Sequence, residues 1–159
     1  MKRRMFFVSV ALPVVAIVML AGSATAGEFV PFKGVLEGTV TRSDPPPPLE
    51  VVVTGAGIAT QVGLFSVKIP HTVTPPIGNG FYYFVAANGD TLTASFDGVS
   101  KAADPGFLYI VERAKIIGGS GRFAGASGSF VVERLYDIAG GTTAGSFAGT
   151  IASPGADQP

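Results

Sequence analysis

Glycine sets the terms on which this chain can fold. All but one of its 22 glycines fall after residue 26, where they punctuate apolar segments that alternate with polar residues. Such spacing disfavours helices and suits many short strands joined by tight turns, while the apolar content between the glycines argues against disorder. No helix is expected beyond residue 26.

The sharpest local signal is Asn88-Gly89. Read as a two-residue loop with both residues at positive φ, it makes a type I′ turn between Phe81–Ala86 and Thr91–Phe96. Ala87 then faces Asp90, so Val85 pairs with Leu92, Tyr83 with Ala94 and Phe81 with Phe96, and this set is assigned to the core. Tyr82, Phe84, Thr91, Thr93 and Ser95 take the outer face. The same period of two places Phe32, Leu36 and Val40 inward on a first strand and Val51 and Val53 on a second, with the Pro45–Pro48 run between them as a stiff loop outside any ladder. Phe65, Val67, Ile69 and His71 share an inner face, as do Leu108, Ile110, Glu112, Ala114 and Ile116. Phe130, Val132, Arg134 and Tyr136 line another strand, and Phe147 and Ile151 the last. About eight strands result. The fold class is therefore all-β, an eight-stranded antiparallel β-barrel, because closure removes the edges an open sheet would expose. A two-layer β-sandwich is the alternative.

The N-terminus reads as a secretory signal. Met1-Lys2-Arg3-Arg4 is basic, Met5 to Leu20 carries no charge and is short for a bilayer span, and Ala24-Thr25-Ala26 supplies a small-x-small cleavage site. The expected organisation is a signal peptide over 1–26, one barrel domain over 27–152 and a disordered, Pro-containing tail over 153–159. The expected location is extracytoplasmic, secreted or periplasmic, with no membrane association after cleavage. The chain has no cysteine, so the core must hold the fold without disulfides even in a compartment that permits them. Lys2, Arg3 and Arg4 belong to the leader, which leaves eight basic residues against eleven acidic ones and no basic cluster. Nucleic acid and anionic lipid are thus poor partners.

One histidine, no cysteine and singly scattered acidic residues cannot assemble the usual transition-metal ligand sets, so no metal and no cofactor is called for. The serines sit in glycine turns without a nucleophile elbow. Gly119-x-Gly121-x-x-Ala124 follows an apolar strand as a dinucleotide fingerprint would, but Gly125-Ala126-Ser127-Gly128 comes next, with no helix to receive a pyrophosphate. A tight glycine turn with a bulge is the better reading.

The run Ile117-Gly118-Gly119-Ser120-Gly121-Arg122-Phe123-Ala124-Gly125-Ala126-Ser127-Gly128 resembles a strand-turn-strand segment of allene oxide cyclase-like and dirigent-like barrels, with Ser120 where a threonine is usual. The flanking Leu108–Ile116 and Ser129–Tyr136 strands and the closing Gly145-Ser146-Phe147-Ala148-Gly149-Thr150-Ile151 fit the same pattern, so the resemblance covers the C-terminal third. It implies a calycin-like barrel, often trimeric, with an apolar lumen. Plant members of those groups steer epoxide cyclisation or phenoxy-radical coupling; none of their catalytic residues can be matched here position by position.

Three inward residues stand out chemically. Glu112 interrupts an apolar face, where a carboxylate must be paired or have a raised pKa. Arg134 interrupts the next strand in the same way, and the two are expected to form an interior ion pair extended by the Tyr83 or Tyr136 hydroxyl. His71, the only histidine, sits on the inner face near a strand end as a candidate general base. Glu112, His71 and Arg134 are the candidate catalytic residues; Tyr83, Glu112, Arg134 and Tyr136 are the candidate ligand-binding set. The expected function is binding of a small apolar molecule in the lumen, lined by Phe65, Phe81, Phe96 and Phe130. Two alternatives stay open. One is an isomerase or cyclase using Glu112 or His71. The other is a structural or assembly protein, a homo-oligomer such as a trimer, acting through Tyr82 and Phe84 on its outside.

Overall fold

A computed structural model describes residues 27–153. The signal segment 1–26 and all of the tail beyond Ser153 lie outside the described residues. Eight strands run in chain order: β1 (Val30–Arg42), β2 (Leu49–Ala59), β3 (Gly63–Thr74), β4 (Ile77–Ala86), β5 (Thr91–Ala102), β6 (Phe107–Gly119), β7 (Ser127–Asp137) and β8 (Thr142–Ala152). Each pairs antiparallel with its successor, and β8 returns to pair with β1, from Val30 opposite Ile151 to Thr39 opposite Thr142. The sheet is thus a closed meander without free edges, and the barrel rather than the sandwich is the fold. The sole helical element among the described residues is one 3₁₀ turn, Gly121–Phe123.

Alternation predicts the inner face of seven strands. Phe32 and Leu36 on β1, Val51 and Val53 on β2, Phe65, Val67 and Ile69 on β3, Leu92, Ala94 and Phe96 on β5, Ala114 and Ile116 on β6, Phe130 and Val132 on β7 and Phe147 and Ile151 on β8 are all buried. Strand β4 is the exception. Its inner residues are Tyr82, Phe84 and Ala86, whereas Phe81, Tyr83 and Val85 are exposed on the outside. The cause is the hairpin loop, which has three residues, Ala87-Asn88-Gly89, not two. The Gly89 amide donates to the Ala86 carbonyl and the Ala86 amide to the Asp90 carbonyl, each at 2.9 Å. Gly89 alone takes a positive φ, 90°, completing a type I turn with a glycine bulge. Asn88 stabilises this form by accepting from the Asp90 amide and donating to its carboxylate. One extra loop residue shifts β4 by one position against β5, so Phe84 faces Leu92 and Tyr82 faces Ala94. In a period-two strand that exchanges the faces.

The two ends of the barrel differ. At the end holding the β2–β3, β4–β5 and β6–β7 connections, Phe32, Phe65, Phe84, Phe130 and Phe147 fill the lumen, their ring centroids 5.0–6.3 Å apart. The glycine-rich run between β6 and β7 seals it. β6 bulges where Ile117 has no partner, the 3₁₀ turn follows, and Phe123 is driven into the core at 2% exposure. Ser120 ties this plug to β5 through its hydroxyl on the Thr91 amide, and Arg122 donates to the Val62 carbonyl.

Inner glycines make room for the rings. Gly149 lies between Phe32 on β1 and Phe130 on β7, and a Cβ built on it would meet the Phe130 Cα at 2.5 Å and collide with the Ser129 carbonyl. We expect Gly149→Ala to destabilise the protein by about 1–3 kcal/mol, the usual effect of overpacking, while Ala148→Gly on the outer face costs less than about 1 kcal/mol. Urea unfolding followed by circular dichroism measures both, and equal midpoints for the two variants would contradict this packing.

Candidate ligand-binding site

Above the phenylalanine layer the lumen is open. A cavity of about 320 Å³ occupies the other end, walled by Val40, Val51, Val73, Phe96, Leu108 and Ile110. The β1–β2, β3–β4, β5–β6 and β7–β8 connections lie at this end, and Pro75 and Pro76 of the β3–β4 turn line the cavity. The lumen is therefore half filled and half empty, its two halves divided by a polar layer.

That layer is built on Glu112 and Arg134. Both point inward from neighbouring strands, and both side chains are 2% exposed. Each faces a glycine on its other flank, Gly98 for Glu112 and Gly145 for Arg134, which leaves width for two long side chains in the lumen. The guanidinium grips the carboxylate side-on, Nη2 to Oε1 at 2.6 Å and Nε to Oε2 at 3.0 Å. The Tyr82 hydroxyl donates to Oε2 as well. Arg134 Nη1 donates to Thr143 Oγ1 at 3.3 Å, and the Thr143 hydroxyl in turn donates to the Leu135 carbonyl at 2.7 Å. The burial cost of both charges is offset only because each finds a charged partner and further hydrogen bonds. Burial and the adjacent carboxylate hold the Tyr82 phenol well above its ordinary value, so it stays a donor. Burial alone would lower Arg134, but Glu112 beside it outweighs that and keeps it charged.

His71 lies on the cavity wall, opposite Gly80 on β4 and edge-on to Phe96 at 5.6 Å. Its Nδ1 is 2.9 Å from the Ile69 carbonyl. Partial burial brings its pKa below 6.5; the Ile69 carbonyl and the Glu112 and Glu50 carboxylates oppose this, and Arg134 adds to it.

Of the expected site residues, His71, Glu112, Arg134 and Tyr136 all line this one cavity. Tyr83 does not. The three-residue hairpin turns it outward, where it stacks on Phe81 at 6.1 Å, and Phe81 leaves the lumen with it. The tyrosine that extends the ion pair is Tyr82, and Tyr82 and Phe84 are buried, not exterior, residues. Thr143 also escaped notice, because a threonine in an alternating strand gives no signal of its own. Asn88 followed by Gly89 and Asp90 was the available clue to Tyr82, since an Asn that can bond Asp90 suits the longer loop.

Removing one member of the pair strands the other. Arg134→Met is expected to cost about 3–5 kcal/mol, and adding Glu112→Leu to recover most of that loss, because the orphaned buried charge is then gone. Denaturant unfolding of the two variants tests this; a double variant no more stable than the single one contradicts it. The His71 shift also has a sign. The unfolded chain takes up the histidine proton near 6.5 and the folded one only below that, so His71's contribution is complete above pH 6.5 and is lost as the pH falls through the lowered folded value. The thermal midpoint should therefore drop as the pH is lowered from 6.5, and His71→Gln should flatten that drop; an unchanged slope would locate the effect elsewhere.

No family model and no curated protein matches the chain. Among solved structures it is similar to the pterocarpan synthase dirigent protein GePTS1, with a TM-score of 0.63 and 13% identity over 94% of this chain and 99% of that one. It is similar also to the pterocarpan synthase dirigent protein PsPTS1, with a TM-score of 0.62 and 11% identity over 81% of this chain and 97% of that one. At such identities the likeness speaks for architecture, and the architecture of this chain is the dirigent-like eight-stranded β-barrel.

Proposed function

We propose that the protein binds one small, largely apolar molecule in the open half of its barrel. The observation that carries this reading is the one-ended cavity itself: about 320 Å³, apolar walls, and a buried Glu112–Arg134 pair among its lining groups. That volume falls at the lower end of the roughly 300–1,000 Å³ of ligand sites, and a few fixed polar groups in an apolar wall are what such sites use for orientation. Its structural neighbours are named pterocarpan synthase dirigent proteins, which supports a reading in which a barrel of this shape works on a small molecule.

Binding is favoured over acid–base chemistry at Glu112. Both of its oxygens already accept from Arg134 or Tyr82, so it is held as the anchor of the arginine instead of being presented as a free base. Two further elements belong to the proposal. Export rests on the basic N-terminus, the uncharged run and Ala24-Thr25-Ala26. Self-association rests on the exterior apolar residues Phe81, Tyr83 and Val85 on β4 and the cross-strand row Val35, Ile58 and Leu64.

The chain lacks tryptophan, so an introduced one reports directly on the cavity. Titration of the purified protein with the neutral fluorophore 1-aminoanthracene should give saturable enhancement at one site per chain. Ile110→Trp, which fills the cavity from its wall, should abolish that enhancement while circular dichroism keeps its β-sheet signature. Absence of saturation in the wild-type protein, or undiminished binding in the folded variant, sinks the proposal.

A further inference from the structure

The polar groups of the cavity are not equally committed to the protein. Glu112 is saturated by its neighbours, whereas His71 is half committed. Its Nδ1 meets the Ile69 carbonyl oxygen at 2.9 Å, and a carbonyl oxygen can only accept, so Nδ1 carries the proton. In the neutral ring Nε2 then holds a lone pair. Among the described residues no donor reaches Nε2, and it is not one of the buried atoms left without a partner, so it stays accessible on a side chain that lines the cavity. The ring is also fixed in place. Phe96 contacts it edge-on, Gly80 lies so close that a Cβ there would collide with the His71 Cβ at 2.5 Å, and the Ile69 bond fixes its rotation.

We propose that His71 Nε2 is the hydrogen-bond acceptor that selects the cavity's occupant, favouring a neutral, mostly apolar molecule that carries an O–H or N–H donor. The role exists only if the cavity takes up a small molecule, as proposed above. The charged groups around the ring are Glu112 from β6, Arg134 from β7 and Glu50 from β2. Burial outweighs the two carboxylates and keeps the imidazole neutral at pH 7, the state in which Nε2 accepts. An occupant without a donor would bury that lone pair unpaired, and the loss of one such hydrogen bond corresponds to about tenfold in affinity.

His71 is the only histidine in the chain, so ¹⁵N-histidine labelling gives a single ring to follow by two-bond ¹H–¹⁵N correlation. The probes are indole and 1-methylindole, which differ by the donor, and the methyl signals of Val51 and Ile110 report occupancy. At pH 7.5 the free protein should show the Nδ1–H tautomer. Both probes should move the methyl signals, indole should bind about tenfold more tightly, and only indole should shift Nε2. His71→Leu should erase the preference and His71→Gln, which retains an acceptor, should keep part of it. An Nε2–H tautomer overturns the assignment. Equal affinities with Nε2 unmoved overturn the role of His71 while leaving the binding cavity intact. Unmoved methyl signals with either probe overturn the cavity reading, and the role of His71 falls with it.

Discussion

Closing eight strands fixes the width of the space they enclose, and everything inside this barrel has to be accommodated within that width. The chain meets the constraint by setting large inner side chains beside glycines on the neighbouring strand. Gly149 separates Phe32 from Phe130, Gly145 separates Leu36 from Arg134, and Gly57 separates Leu36 from Phe65. A ring can then lean across the lumen over a strand that contributes no bulk. The same arrangement admits Glu112 beside Gly98 and His71 beside Gly80, so packing and polar site draw on one spatial rule.

The Glu112–Arg134–Tyr82 network marks the level at which the interior changes character. Toward the closed end, interlocked rings exclude water and anchor the strands through apolar burial; toward the open end the lining residues stop short of one another. A charged pair at this level is not a general device for stability, since an apolar replacement of similar shape often serves as well. Its bidentate geometry does fix two neighbouring strands and one tyrosine in a single arrangement, and the fixed arrangement sets the shape of the polar floor.

Much of this was legible from the residues because several strands carry their polarity on one side only. On β6 and β7 the outward positions hold Arg113, Lys115 and Glu133, so Glu112 and Arg134 stood out as charges on the inner face, and their pairing followed from the cost of burying either alone. β4 gave no such guidance. Phe81, Tyr83 and Val85 on one face and Tyr82, Phe84 and Ala86 on the other are equally fit for burial, and the choice between them falls to a single loop residue. The division of the lumen was not legible either. Whether five phenylalanines fill a barrel or half of one depends on how far each ring reaches past its neighbours, which is a property of the assembled packing.

The plug formed by Gly118–Phe123 has a kinetic corollary. A chamber sealed at one end has a single doorway, and traffic through it is single file: a second molecule cannot enter from behind to push the first one out. On the binding reading proposed above, an occupant departs before a rival arrives, so residence time is set at the doorway, where Pro75, Pro76 and Lys101 line the cavity. These residues lie at the end of the barrel away from the packed rings. On that reading selectivity sits at one pole of the molecule and the packing of the rings at the other.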